Sequence, residues 1–424
     1  MQSKRIVLTT LGSLGDLHPF IAIALGLKAR GHEAVLATGE CYRRKVEALG
    51  LGFRAVRPDS AIVSDPAAMR RFMDLRLGTV RVLRDFIVPS IPETYKDTLA
   101  VVNEGVDLLV SHPLAFATRL VAEKTGIQWV STQISPLGLY SAFDPPALPG
   151  FPDFANRLRF LGPRFWGPLG RTLKWATRLW ARPIDRLRSE IGLPATADNP
   201  LVDGHAPALV LALFSKLLAP KQIDWPTQIV HTGFPLYDRD SEARLPLDVA
   251  RFLDDGPPPI VFTLGASAAM VAGPFFDESV AAAKTLGRRA VLIAGKDQPY
   301  HPASLPHGMA AFDYAPFSEL FPRACAVVHA GGIGTTGLAM RSGRPMLVVP
   351  HAHDQPENAR RLVRLGIART VSRRRYRSAC VAAELEQLLG DPKYTRRAAE
   401  VGEQIRREDG AQAACNALET FLSI

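Results

Sequence analysis

His329, Gly331, Gly332, Gly334, Thr335 and Thr336 fall in one short run, His329-Ala-Gly-Gly-Ile-Gly-Thr-Thr-Gly337, and Pro350-His-Ala-His-Asp-Gln-Pro-Glu-Asn358 follows it. The first run suits a diphosphate. Cys325 to His329 reads as a short buried strand and the glycines as a turn at its carboxyl end. Thr335 to Ser342 reads as the start of a helix, whose free N–H groups and positive dipole end favour an anion. Glycines let phosphate oxygens approach the main chain, and Thr335, Thr336 and His329 add side-chain donors. The second run follows a strand, Pro345 to Pro350, and carries Asp354 and Gln355, an acceptor and an amide suited to vicinal hydroxyls. A diphosphate cradle with a hydroxyl clamp implies a nucleotide-sugar. In an open α/β sheet both strand ends converge on one crevice.

Other chemistry fits parts of this pattern. Gly332, Gly334 and Gly337 satisfy G-x-G-x-x-G, and Asp354 stands where a ribose-binding acid is expected, which would imply NAD or FAD. That fingerprint should open a domain with several strands after it, whereas here only the stretch to Pro350 and a mostly helical tail are expected to follow. His351 and His353 form an H-x-H pair, but no matching Glu or His cluster follows to complete a metal site. A glycine turn without a ligand is the plain structural alternative.

The elements that must position these residues alternate. Ile6 to Thr10 reads as a strand, Pro19 to Arg30 as an amphipathic helix ended at Gly31, Ala34 to Ala37 as a strand, and Arg43 to Leu49 as a helix ended at Gly50. Strands are expected again at Leu108 to Val110, Trp129 to Thr132, Leu209 to Leu213 and Ile229 to Thr232. Asp144-Pro-Pro-Ala-Leu-Pro149 interrupts the series and introduces a Trp- and Arg-rich insertion. A domain change is signalled by the charged stretch Tyr237 to Leu245 and by Pro257-Pro-Pro259. Alternation then restarts: strand Ile260 to Leu264, helix Phe275 to Leu286, strands Ala290 to Ala294 and Ala326 to His329, helix Thr335 to Ser342, strand Met346 to Val349. From Ala382 the chain reads as helices, punctuated by Asp391-Pro392. Two doubly wound α/β domains facing one cleft are the simplest architecture.

At 424 residues, with 47% hydrophobic and 22% charged content, the chain is long enough for two globular domains. Met-Gln-Ser-Lys-Arg precedes only a short apolar run, Ile6 to Leu8, which suits a first strand rather than a signal peptide. No apolar stretch is long enough to span a bilayer, so a cytoplasmic protein is expected. Cys41, Cys325, Cys380 and Cys415 are scattered, which argues against a zinc ribbon or a disulfide framework and for buried free thiols.

The net charge is +10. Much of it lies in Asn156 to Arg188 and Arg360 to Arg377. In the first, Arg171, Lys174, Arg178 and Arg182 keep helical spacing, while Trp166, Trp175 and Trp180 with Leu169, Leu173 and Leu179 supply apolar bulk. That combination resembles an interfacial helix resting on a membrane surface; the alternative is a solvated basic face over an ordinary core. The second cluster reads as plain surface that raises the potential near an anionic ligand. Neither contains a nucleic-acid-binding signature.

The residues also carry a family resemblance over essentially the whole chain. Gly12-Ser-Leu-Gly-Asp-Leu-His-Pro-Phe20, Asp224-Trp-Pro, Thr232-Gly-Phe-Pro-Leu-Tyr-Asp238 and His353-Asp-Gln355 with Asn358-Ala-Arg-Arg-Leu-Val-Arg-Leu-Gly366 resemble the family 1 glycosyltransferases of the GT-B fold. Within that family they are most similar to the rhamnosyltransferases of bacterial rhamnolipid synthesis. The resemblance implies an acceptor-binding domain over residues 1–236, a donor-binding domain over 237–405, and a C-terminal helix in 406–424 packing back on the first domain. It also implies inversion at the anomeric carbon without a metal or other cofactor, which agrees with a helix N-terminus plus His329 stabilising a departing diphosphate.

Such a displacement needs a base at the acceptor hydroxyl. The resemblance assigns that role to Asp16, with His18 as the second candidate, His112 as an orienting partner on the acceptor side, and Gly15 on the donor side. An ordinary Asp is a weak base, so an elevated pKa or late proton transfer is expected; the structural alternative is an N-cap. Tyr314-Ala-Pro-Phe317 matches a base-stacking segment, placing Tyr314 and Ala315 at the nucleotide, and Gly265 with Ser267 matches a phosphate- or ribose-contacting loop. Gly337 stands where plant members carry a ribose-binding Glu, which a donor lacking the 2′-hydroxyl tolerates. The apolar segments Phe143 to Trp180, including Phe143 and Trp166, and Ala61 to Ile91 suit a hydrophobic hydroxylated acceptor. The expected reaction moves L-rhamnose from dTDP-L-rhamnose to a hydroxy-fatty-acyl lipid, with peripheral contact at the inner face of the membrane. Transfer from UDP-glucose to a sterol, polyketide or other aglycone is the alternative within the family. A nucleotide-sugar-binding subunit without turnover and a dinucleotide-dependent oxidoreductase are the alternatives outside it.

Overall fold

The computed structural model describes residues 2–59, 65–147, 152–238, 245–295 and 304–423. The chain divides into two compact units, Met1–Ala68 with Arg76–Tyr237 and Asp409–Ile424, and Met69–Leu75 with Asp238–Glu408. Leu148, Pro149, Ala61 to Ser64 and residues 239–244 of the Tyr237 to Leu245 boundary stretch lie outside the described residues.

Among the described residues, the first unit is built on seven strands: β1 Arg5–Thr9, β2 Glu33–Thr38, β3 Gly52–Ala55, β4 Leu108–Ser111, β5 Trp129–Gln133, β6 Val210–Ala212 and β7 Ile229–His231. They run β3-β2-β1-β4-β5-β6-β7 across the sheet, and every pairing is parallel. Ile6-Val7-Leu8 and Leu108-Leu109-Val110 are wholly buried, as central strands covered on both faces require. On one face helix Leu14–Ala29 buries Leu17, Phe20, Ile21, Ile23 and Leu27 in a cluster that includes Ala414, Cys415 and Leu418 of helix Gly410–Leu422. The last helix is therefore part of the first unit's core.

The second unit repeats the scheme with β8 Ile260–Thr263, β9 Ala290–Ile293, β10 Met309–Phe312, β11 Ala326–His329, β12 Met346–Val348 and β13 Ala368–Thr370. Their order is β10-β9-β8-β11-β12-β13, again parallel throughout. Both units are thus Rossmann-like. The strand order reverses between β1 and β4 in one sheet and between β8 and β11 in the other, so the loops leaving those strands diverge and open a crevice at each switch point.

Three strands depart from the sequence reading: β3, β10 and β13 have no predicted counterpart. Each lies at a sheet edge, where half the surface is uncovered and a long apolar run is not required. β13 also means that the chain after Pro350 is less purely helical than its composition suggests. Helix Leu14–Ala29 begins before Pro19, which sits inside it. The basic insertion is not one helix but Gly162–Thr177, a turn at Arg178–Ala181, and Arg182–Glu190. Of the four thiols only Cys415 is buried; Cys41 is exposed and the other two are intermediate. The Arg360 to Arg377 cluster is not all surface. Arg360 and Arg361 are buried against Glu357, at 2.6 Å from its Oε1 in each case.

Candidate active site

In the first unit the site grows from the turn after β1. Gly12 takes φ of +124°, a conformation that side chains other than glycine rarely adopt, and a Cβ there would stand 2.4 Å from Asp16 Oδ2. Ser13 caps helix Leu14–Ala29, and Asp16 is its third residue. The Ser13 N–H donates to Asp16 Oδ2 at 2.7 Å and the Ser13 hydroxyl to the same oxygen at 2.9 Å. Asp16 is thus the acid of a capping box rather than the N-cap itself.

The neighbouring strand supplies the facing group. His112 follows β4, and its N–H donates to the Thr9 carbonyl at 2.9 Å. Its Nδ1 accepts from the Leu114 N–H at 3.1 Å, which leaves the ring N–H at Nε2, 3.3 Å from Asp16 Oδ1. The two carboxylate oxygens are therefore divided: Oδ2 holds the cap and Oδ1 faces the imidazole. Burial, the largest influence, raises the Asp16 pKa, but the contacts with His112 and Ser13 together outweigh it and hold the carboxyl below its ordinary value. The elevated pKa expected for a catalytic Asp is not found. His18 lies two residues further along the helix, on another side from Asp16, with its ring edge-on to Tyr237 at 5.3 Å. Gly15 is exposed in the first turn.

In the second unit, helix Ile333–Ser342 starts at the end of β11, with Gly332 as its N-cap. Cβ atoms placed on Gly332 and Gly334 would meet nothing within 4 Å, so this end of the helix has open space in front of its free N–H groups. Gly331 is tighter: φ is +92°, and a Cβ would lie 2.9 Å from Val348 Cγ1. Thr335 is partly exposed, while Thr336 is buried with an unpartnered hydroxyl. Gly265 opens the short helix Gly265–Ala269 after β8; a Cβ on it would stand 3.4 Å from Thr335 Oγ1, which places the two loops side by side. Ser267 is partly exposed in that helix.

His329 is fully buried. Its Nδ1 accepts from the Gly331 N–H at 3.1 Å, which leaves the proton of the neutral ring on Nε2, and Nε2 has no partner. Burial depresses its pKa to about 4. A neutral N–H donor stands here, not an imidazolium. His351 donates from Nδ1 to the Val349 carbonyl at 2.7 Å and is likewise depressed by burial to about 4. Gln355 uses Oε1 to accept from the N–H groups of His351 at 2.8 Å and Ala352 at 3.1 Å, so its carbonyl end orders the loop. His353 in that loop has φ of +57°, a strained value for a non-glycine. The Tyr314 hydroxyl donates to the Asp238 carbonyl at 2.7 Å while the residue stays 38% exposed, and Ala315 is buried behind it.

Two contributors have no place among the sequence-derived site residues. Ser13 was legible as the start of Ser-x-x-Asp, a capping-box spacing. Asn358 is buried and donates from Nδ2 both to the Gly331 carbonyl at 2.9 Å and to Asp354 Oδ2 at 2.8 Å, tying the glycine turn to the acidic loop. Its signal was the one-turn spacing from Asp354. On the acceptor side Phe143 is 48% exposed, but Trp166 is a correction: it is fully buried, donates from Nε1 to the Leu158 carbonyl at 3.1 Å, and packs edge-on to Phe154 and Phe165. It anchors the insertion rather than presenting a surface.

Residues 6–142 match the glycosyltransferase family 28 N-terminal domain, and residues 279–419 match the erythromycin biosynthesis protein CIII-like C-terminal domain. O-mycaminosyltylonolide 6-deoxyallosyltransferase of Streptomyces fradiae is 35% identical over 98% of this chain and 97% of its own. The chain belongs to this glycosyltransferase family. Glycosyltransferase GtfE of Amycolatopsis orientalis is 32% identical over 86% of the chain and 85% of its own length. A sterol 3-beta-glucosyltransferase of Cryptococcus neoformans is 28% identical over 98% of the chain, which spans 27% of that longer protein. Among solved structures, the calicheamicin glycosyltransferase CalG4 superposes with a TM-score of 0.73 at 18% identity, covering 100% of this chain and 99% of that one. The glycosyltransferase therefore has the GT-B fold. The matched family is one of glycosyltransferases, not of dinucleotide-dependent oxidoreductases.

Proposed function

We propose that this glycosyltransferase moves a 6-deoxyhexose, L-rhamnose, from dTDP-L-rhamnose to the hydroxyl of a hydrophobic, lipid-like acceptor, with inversion and without a metal. The observation that carries the donor half is the buried, unpartnered Nε2–H of His329 beside the open N-terminus of helix Ile333–Ser342. A diphosphate supplies the acceptor atoms that this donor and the free N–H groups lack. Gly331, Gly332, Gly334, Thr335 and Thr336 surround it, Gly265 and Ser267 flank it, Tyr314 and Ala315 take the base, and Asp354 with Gln355 takes the sugar hydroxyls. In the first unit Asp16 accepts the acceptor's proton and His112 orients it, with Gly15 beside them. The acceptor oxygen then bonds to the anomeric carbon as the bond to the diphosphate breaks, and the charge that develops there falls to His329 and the helix end.

Two features favour a deoxysugar on dTDP. Gly337 offers no carboxylate to a ribose 2′-hydroxyl, and the Streptomyces fradiae relative is named for transfer of a 6-deoxyhexose. The sterol 3-beta-glucosyltransferases among the relatives favour the second reading, glucose from UDP-glucose to a sterol or other aglycone. A thermal-shift panel of dTDP, UDP, ADP and NAD⁺, followed by transfer assays on hydroxy-fatty-acyl and sterol acceptors, tests both. Stabilisation by dTDP over UDP with transfer to the fatty-acyl acceptor is expected. Preference for UDP with sterol transfer moves the assignment to the second reading, and donor binding with no turnover on any acceptor leaves a binding protein. The lipid acceptor also places the enzyme peripherally at the inner face of a membrane.

A further inference from the structure

The insertion between β5 and β6 carries an outward face that the transfer chemistry does not use. From Ala155 to Ile184 there are seven Arg and Lys residues, Arg157, Arg159, Arg164, Arg171, Lys174, Arg178 and Arg182, and no Asp or Glu. Arg159, Lys174 and Arg178 pair with Asp144, Asp203 and Asp185. Among the described residues Arg157, Arg164, Arg171 and Arg182 are exposed and enter no ion pair. Arg164, Pro168, Arg171 and Trp175 recur at helical spacing along Gly162–Thr177 and form one stripe, with Trp166 buried on the opposite side. Trp175 on the stripe is 75% exposed, and Phe160 in the turn before the helix and Leu179 in the turn after it are 80% and 56% exposed. Large apolar side chains interleaved with unpaired cations, with no acid among them, are the composition of a helix that lies in a headgroup layer.

We propose that this face seats the enzyme on an anionic lipid surface, with Trp175, Phe160 and Leu179 entering the interface and Arg164 and Arg171 meeting the phosphates. The occupant is chosen by charge: a neutral apolar partner leaves the unpaired Arg164 and Arg171 desolvated, whereas anionic headgroups satisfy them and leave the rings in contact with acyl chains. The proposal deepens the lipid-acceptor reading and rests on it for its purpose, but its test does not read transfer. Failure of either therefore leaves the other standing.

The test is co-sedimentation of the full chain with vesicles of phosphatidylglycerol mixed equally with phosphatidylcholine, and with vesicles of phosphatidylcholine alone. Binding to the first, little to the second, and release by salt are expected. Arg164→Glu with Arg171→Glu should weaken binding at least about thirtyfold, since each cation lost near such a surface contributes about 1 kcal/mol and the two together about 2 kcal/mol. Trp175→Ala should weaken it while leaving the melting temperature in place, because the side chain is exposed. Equal binding to both vesicles, retention in the doubly reversed variant, or a wild-type dimer that the reversal dissolves would each overturn the proposal, the last by putting a second copy on this face.

Discussion

His112 Nε2 stands 3.3 Å from Asp16 Oδ1, while the other oxygen of the same carboxylate accepts from Ser13 and closes the cap of helix Leu14–Ala29. One side chain therefore serves the helix and the proposed chemistry through different atoms. This separates what substitutions at Asp16 should do. Asp16→Asn keeps an oxygen for the Ser13 N–H but cannot accept a proton; turnover should fall about 10²–10⁴-fold with little change in melting temperature. Asp16→Ala should lose turnover and also about 1 kcal/mol of stability. Unchanged turnover in Asp16→Asn would remove Asp16 from catalysis.

Replacing His112 should move the acid limb of the rate profile. Contact with the imidazole lowers the Asp16 pKa against the upward push of burial, so in His112→Phe the burial effect is left opposed only by Ser13. The carboxyl then protonates at higher pH, and kcat/KM should begin to fall at higher pH than in the wild type. A pH–rate profile that keeps its acid limb while losing amplitude would assign His112 to packing alone.

His329 should couple nucleotide binding to protons. Its ring is neutral, with a pKa near 4, and an anion at Nε2 raises that value. The bound state then holds more protons than the free state, so dTDP affinity should strengthen as pH falls from about 7 toward about 5. Titration calorimetry in buffers of different ionisation enthalpy reads the uptake directly. His329→Gln should abolish the uptake, and His329→Ala should weaken dTDP roughly 10–100-fold, the loss of one hydrogen bond to a charged group.

Acid should destabilise the folded protein through His329 and His351 together. Both have folded-state pKa values of about 4 against an ordinary 6.5, so below 6.5 the unfolded chain binds protons that the native rings refuse. Stability is complete above that value and is lost as pH falls from 6.5 toward 4, by on the order of 3 kcal/mol for each ring. Urea denaturation across this range should show a slope approaching two protons, and His351→Gln should reduce it by one.

Asn358 joins the glycine turn to the acidic loop, and its removal should loosen both. Asn358→Ala leaves the Gly331 carbonyl and Asp354 without their buried donor, which should cost about 1–3 kcal/mol and raise KM for the donor. Asn358→Asp should be worse, since it sets a second carboxylate against Asp354. Equal donor KM in wild type and both variants would limit Asn358 to stability.

The elements of the proposed donor side were legible because they are local. A strand, a glycine turn and a helix start occupy consecutive residues, and His329 to Thr336 carry all three. The central strands were legible for the same reason, as Ile6-Val7-Leu8 and Leu108-Leu109-Val110 are continuous apolar runs. β3, β10 and β13 were not: all three are edge strands whose residues are mostly only partly buried, so they lack the continuous apolar run of a central strand. The burial of Trp166 was illegible too, since a tryptophan among arginines reads alike whether it faces in or out.

What the sequence by itself determined is the family, the two-domain alternation and the residue types at each loop, all of which depend on spacing along the chain. The tertiary structure decided which of those residues meet. Only parallel pairing of β1 with β4 brings Asp16, at the first turn, within reach of His112, far along the chain. Burial made the His329 ring neutral, and the Gly331 N–H bonded to its Nδ1 left the proton on Nε2. Pairing between distant strands and exclusion of water are properties of the packed chain, and no short stretch of sequence encodes either.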